Sequence, residues 1–196
     1  MAALECVAGA DWAQVERALN ERGHAVIRNT FSGVDCEHAR RLYDQDALFR
    51  SRIVMARHGF GQGEYQYFAY PLPEPIASLR EVLYAHLAPV ANAWSVALGG
   101  EARHPATLQA FLDACHAEGQ TRPTPLVLKY GSGDYNRLHQ DLYGGVQFPL
   151  QAAVLLSAPA RDFEGGEFVL TETAPRRQTR VEVVPLGQGD MVIFAV

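Results

Sequence analysis

The stretch from Leu126 to Leu142, LVLKYGSGDYNRLHQDL, places a histidine and an aspartate two residues apart in a run that reads as a β-strand. Successive strand side chains point to opposite faces, so His139 and Asp141 share a face while Gln140 points away. An imidazole nitrogen and a carboxylate oxygen aimed at one point are two of the three donors of a 2-His-1-carboxylate facial triad, the set that holds non-haem Fe(II) and leaves positions open for reactants. The spacing alone does not decide the matter. Seven His and nine Asp scattered over 196 residues would give about 0.3 such pairs by chance. A strand end with a solvated His and a turn-forming Asp accounts for the pair as well.

The rest of the chain must position that pair. With 48% hydrophobic residues and no break in composition, residues 1–196 are expected to form a single domain around one core. Net charge is −5 and no cluster of Lys or Arg exceeds two adjacent residues, which is not the footprint of a nucleic-acid binder, so no nucleic-acid partner is expected. Cys6, Cys36 and Cys115 are odd in number and widely spaced, and read as reduced thiols. The first residues, MAALECVAGADW, lack the basic region of a signal peptide, and no apolar run approaches about 18 residues. A soluble, cytoplasmic protein without a membrane partner is the expectation, and its oligomeric state is unspecified.

Helical and extended segments alternate before the pair. Asp11 is placed to cap a helix through Trp12, Val15 and Leu19 that Gly23 closes; HAVIRNTF (24–31) reads as a strand, and 32–49 returns to helical spacing through Cys36, Ala39, Leu42 and Tyr43. Residues 53–73 are rich in glycine and aromatics. Gly59, Gly61 and Gly63 do not suit a phosphate loop, because the alternating segment EYQYFAY follows instead of a helix. Arg57, His58, Tyr65 and Tyr67 are candidates to line a substrate entrance, an aromatic hairpin packed on the core being the plainer reading. Residues 78–98 form the longest helical pattern, with Pro89 expected to kink it, and Pro105 opens a second over 106–117. His86, His104 and His116 on these segments read as surface or packing residues.

From Pro123 onward, VLKY, VQFPLQAAVLLS, GEFVLTE, RVEVVPL and DMVIF are short apolar segments separated by Gly or Pro, the pattern of a sandwich or jelly roll, which places the expected core in the C-terminal part. Gly165-Gly166 reads as a two-residue hairpin between neighbouring strands.

The order of pieces, a strand ending at Tyr130, a GSGD turn, the HxD pair, a long apolar strand, EGGEF and then VPLGQGDMVIF, resembles the Fe(II)- and 2-oxoglutarate-dependent oxygenases, in particular their prolyl-4-hydroxylase-like bacterial branch. The resemblance implies an α+β fold: a double-stranded β-helix (jelly roll), with N-terminal and mid-chain helices of about 1–122 packed on one face and a β-helix core of about 123–196. It further implies His139 and Asp141 as iron ligands, Tyr130 facing the co-substrate, and Fe(II) and 2-oxoglutarate as cofactors, with ascorbate as an open addition. The implied reaction is hydroxylation of an organic substrate, a prolyl or other protein or peptide side chain being one class and a small molecule another. One departure stands out. In the family a second His and a 2-oxoglutarate-binding Arg follow the GD-V-F strand, whereas no His lies beyond His139 and Arg176, Arg177 and Arg180 precede that strand. A final DMVIFAV read as an apolar strand without closing partners leads to the expectation of a longer natural protein that supplies both residues. The alternatives are a metal-free pseudo-enzyme and a non-catalytic β-sandwich that docks a peptide on the hairpin 65–70; a cupin would need HxH where Asp141 stands.

Overall fold

A computed structural model describes residues 2–101, 103–141, 144–173, 176 and 178–196. Leu142, at the end of the HxD stretch, and Arg177, one of the three late arginines, lie outside the described residues.

The molecule mixes helices with antiparallel sheets. The main sheet has the order β1 (His24–Ile27), β8 (Met191–Ala195), β5 (Leu150–Val154). A second sheet is β2 (Phe49–Val54), β3 (Glu64–Phe68), β4 (Leu126–Lys129), and β6 (Phe168–Glu172) pairs with β7 (Arg180–Val184). These five strand pairs, among the described residues, are antiparallel.

Strand alternation sorts the main sheet into two faces. Ala25, Ile27, Leu150, Met191 and Ile193 enter the core with Val7 of α1 (Ala2–Ala8), Val15 and Leu19 of α2 (Trp12–Arg22), Cys36 of α3 (Gly33–Leu42), and Leu79, Leu87 and Val90 of α4 (Ile76–Ala97). The opposite face, carrying His24, Gln151 and Phe194, meets the β6–β7 hairpin: Phe168 packs edge-on against Phe194 at 5.2 Å between centroids, and Glu182 lies 3.7 Å from His24. The mixture of helices and antiparallel sheets agrees with the α+β expectation. The core, however, is not confined to the C-terminal part. Strands β1, β2 and β3 all precede residue 123, and β1 pairs with β8 along its whole length.

Local signals explain most of the helices. Asp11 accepts from Gln14 N at 3.0 Å and Gly23 closes α2 in the left-handed conformation. Ser32 and Asp35 form a reciprocal capping box that starts α3. Helix α5 (Leu108–Ala117) begins at a Thr107 cap rather than at Pro105, and packs Phe111 and Cys115 against Tyr84 and Ala88 of α4.

Three expectations need correction. Strand β8 is no exposed edge: it is central, hydrogen-bonded to β1 on one side and β5 on the other, with Val192 and Ile193 fully buried. Gly165 and Gly166 both take positive φ, 70° and 65°, yet they turn the chain into β6 rather than linking two paired strands; the partner of β6 is β7. His139 and Asp141 belong to no strand, since the ladder of β4 ends at Lys129 and a single bridge, Gly61 to Asn136, follows. Arg176 and Arg180, read as loop charges, fall on an exposed turn and the exposed first position of β7.

Among the described residues, no helix is long and apolar enough to cross a membrane.

Candidate active site

Two glycines hold the segment that carries the HxD pair. After β4 the chain turns at Gly131, where Asp134 Oδ2 accepts from Gly131 N at 2.7 Å, and then runs against residues 60–63. Gln62 N donates to Tyr135 O at 2.8 Å and Arg137 N donates to Phe60 O at 2.9 Å. Gly61, at φ 134°, is so close to this strand-like run that a Cβ would stand 2.1 Å from Tyr135 O. At Gly63 a Cβ would stand 2.9 Å from the Tyr130 ring. The glycines between Ile53 and Pro73 therefore allow one backbone to lie on another, as glycine does where a close approach is needed.

Beyond the pair the chain is pinned again. Gln120 accepts from Val146 N through Oε1 at 2.8 Å and donates to Val146 O through Nε2 at 2.9 Å. Arg137 and Val146 are thus fixed to neighbouring elements on either side of His139 and Asp141.

The two side chains converge without a ladder between them. His139 Nε2 lies 3.4 Å from Asp141 Oδ1, and both side chains are partly open to solvent, at 46% and 34%. Each has its far atom engaged. The His139 ring places Nδ1 at 2.7 Å from Arg137 O. A carbonyl only accepts, so Nδ1 is the donor to Arg137 O, and Nε2 is the ring atom directed at Asp141. On the other side, Gln151 Nε2 of β5 donates to Asp141 Oδ2 at 3.1 Å. Two acceptors 3.4 Å apart repel unless positive charge is shared between them, either a proton or a cation. An imidazole nitrogen and a carboxylate, each oriented by an outer hydrogen bond, are the donor chemistry a divalent first-row metal takes. The residues fit such an ion. Among the described residues no set of three or more His, Cys, Asp or Glu is assembled here, so the described part contributes two donors.

Tyr130 sits at the start of the same loop, half-exposed, with its ring over Gly63. Partial burial pushes its phenol upward, and a hydrogen bond with the Asn136 side chain opposes that. It remains a neutral hydroxyl near physiological pH. Neighbouring Lys129 points the other way, its ammonium 4.9 Å from the Tyr43 ring centroid.

The entrance candidates fall on two places. Tyr65 and Tyr67 share a face of β3 and meet edge to face at 5.4 Å, with the Arg50 guanidinium 4.3 Å above Tyr67. His58 stacks on Phe60 in the turn that receives Arg137. His86 stacks on Trp12 at 4.1 Å, and His104 is buried against Phe111 and Phe148, so both are packing residues.

Sequence reasoning missed Gln151 and Gln120. A signal existed for the first: Gln151 is a lone polar side chain inside the apolar strand LQAAV. Nothing in the spacing singles out Gln120.

Residues 63–196 match the model of the Oxygenase-NA family, described as an oxygenase catalysing oxidative methylation of damaged DNA. Two uncharacterized proteins of Mycobacterium tuberculosis, MT2286 and Rv2227, are each 49% identical over 127 residues, which is 65% of this chain and 54% of theirs. The chain thus spans about half the length of the curated relatives it matches. The crystal structure of a prolyl-4-hydroxylase from Pseudomonas putida superposes with a TM-score of 0.56 at 15% identity, covering 94% of this chain and 85% of that one. At that identity the likeness is one of fold.

Proposed function

The chain belongs to the Oxygenase-NA family, and from that premise we propose that it is an Fe(II)- and 2-oxoglutarate-dependent dioxygenase that hydroxylates an organic substrate. The observation that carries the reading is the 3.4 Å approach of His139 Nε2 to Asp141 Oδ1, with each group's outer atom tied down by Arg137 O and Gln151. Bound there, ferrous iron would activate O2 with electrons from oxidative decarboxylation of 2-oxoglutarate.

The chain's own residues have definite tasks in this scheme. His139 would offer Nε2 while its Nδ1 donates to Arg137 O, so the metal and that hydrogen bond would use different nitrogens. Asp141 supplies one negative charge. Tyr130, the neutral phenol at the loop's start, is the residue assigned to the co-substrate carboxylate. Tyr130, His139 and Asp141 lie along one stretch of chain, of which residues 135–137 are held against residues 60–62 by backbone hydrogen bonds. Such a stretch costs little reorganisation when ligands bind.

For the substrate, a protein or peptide side chain, proline included, is the class proposed. A net charge of −5 weighs against gripping a phosphate backbone. The family's description favours a second reading, a damaged base of DNA. Succinate release from 2-oxoglutarate tests both. Release that needs Fe(II) and disappears in His139→Ala and Asp141→Ala supports the dioxygenase; release unchanged by either substitution rejects it. Stimulation by prolyl peptides or by an alkylated single-stranded oligonucleotide then separates the two substrates.

A further inference from the structure

We propose that Gln151 is a positioning residue that decides which oxygen of Asp141 faces the metal, an assignment that rests on the metal-binding reading above. Strand β5 is apolar apart from this residue, and its ladder with β8 fixes Gln151 opposite Phe194, on the sheet face turned away from the helices. From there the side chain reaches Asp141, ten residues earlier in the chain, and its Nε2 lies 3.1 Å from Oδ2. An ionised carboxylate only accepts, so the amide must turn its nitrogen toward Asp141. That choice leaves Oδ1 as the oxygen directed at His139 Nε2.

The consequence is a carboxylate that binds through one oxygen. With Oδ2 engaged by a donor on a hydrogen-bonded strand, the group neither rotates to present the other oxygen nor chelates through both. Asp141 would then offer a bound ion one oxygen rather than two. His139 is oriented differently, by a backbone carbonyl two residues away in its own loop. Among the described residues, the main sheet's hydrogen bond to Asp141 comes from Gln151.

The test uses Mn(II) and Co(II) on the full chain, comparing the wild type with Gln151→Met, which keeps the length and loses the donor, with Gln151→Asn, which keeps the amide but falls short, and with His139→Ala. Free Mn(II) is followed by its paramagnetic resonance signal, Co(II) by its visible absorption, and thermal midpoints are taken without metal. The expected result is Mn(II) binding weakened about 10–100-fold in both Gln151 variants, an altered Co(II) spectrum as Oδ2 is released to the ion, and metal-free midpoints close to wild type. If the wild type binds Mn(II), His139→Ala does not, and both Gln151 variants match the wild type in affinity and Co(II) spectrum, the proposal is overturned while the site stands. If wild type and His139→Ala bind alike, the site itself is wrong and the proposal falls with it.

Discussion

His139 Nε2 and Asp141 Oδ1 come within 3.4 Å of each other in a segment with no strand ladder of its own. Their alignment comes from neighbours: Phe60 and Gln62 on the incoming side, Gln120 on the outgoing side, and Gln151 from the main sheet. A site assembled this way separates metal affinity from stability, and the consequences can be measured.

Both donors are partly exposed, so removing them should cost the fold little. His139→Ala and Asp141→Ala are expected to change unfolding free energy by under about 1 kcal/mol while abolishing Co(II) binding seen by visible absorption. A variant that loses stability in proportion to metal binding would mark the pair as a structural contact.

Gly61 is a point where fold and site meet. Gly61→Ala forces a side chain into φ 134° and onto Tyr135 O, so the loop 130–137 must lift away. Destabilisation of about 1–3 kcal/mol, measured by urea unfolding, should accompany weakened metal binding. Gly59→Ala is a control: Gly59 also has positive φ but nothing within 4 Å of its Cβ, so it should bring strain without displacing the loop, and metal binding should survive.

The sequence made the pair legible because its chemistry is local, two residue types at one spacing. It also located the strands from Pro123 onward and the helix of 12–22, where cap and periodicity agree with the fold, whereas the helical reading of 32–49 holds only to Leu42 before the chain passes into β2 at Phe49. It misplaced what depends on distant partners. DMVIF looks like an edge until His24–Ile27, more than 160 residues earlier, is found beside it. Gly61 and Gly63 announce a loop, but only the arrival of Tyr135 beside the first and Tyr130 beside the second shows what the space is for. Gln151 looks like an interruption of an apolar strand until Asp141 is placed next to it.

The same long-range logic applies to Asp190. It is buried at the turn before β8 and accepts from Asn29 N at 2.9 Å, Gly187 N at 2.8 Å and Arg28 Nη1 at 2.6 Å, tying the end of β1 to the start of β8. Burial raises its pKa, but those hydrogen bonds and the Arg28 charge outweigh it and hold the carboxyl below its ordinary 3.8. Its stabilisation is therefore full above about pH 4 and lost as pH falls through the lower folded-state value. Asp190→Ala should cost about 1–3 kcal/mol at neutral pH, and less at acidic pH.

His104 gives the opposite dependence. Burial against Phe111 and Phe148, and secondarily the charge of Arg103, push its pKa below the ordinary 6.5. The unfolded chain then takes up the proton first, so stability is highest above about pH 6.5 and declines as pH falls below it. His86, half-buried and stacked on Trp12, has the same sign. Urea midpoints measured between about pH 7 and pH 5 should fall, and His104→Phe should flatten the slope. A slope unchanged in that variant would assign the titration elsewhere.

If His139 and Asp141 hold ferrous iron to which 2-oxoglutarate then binds, the complex has a visible signature. After anaerobic addition of Fe(II) and 2-oxoglutarate, a weak charge-transfer band is expected that requires both additions and is missing in His139→Ala; no band in the wild type, or an equal band in His139→Ala, would mean that the pair does not hold the iron.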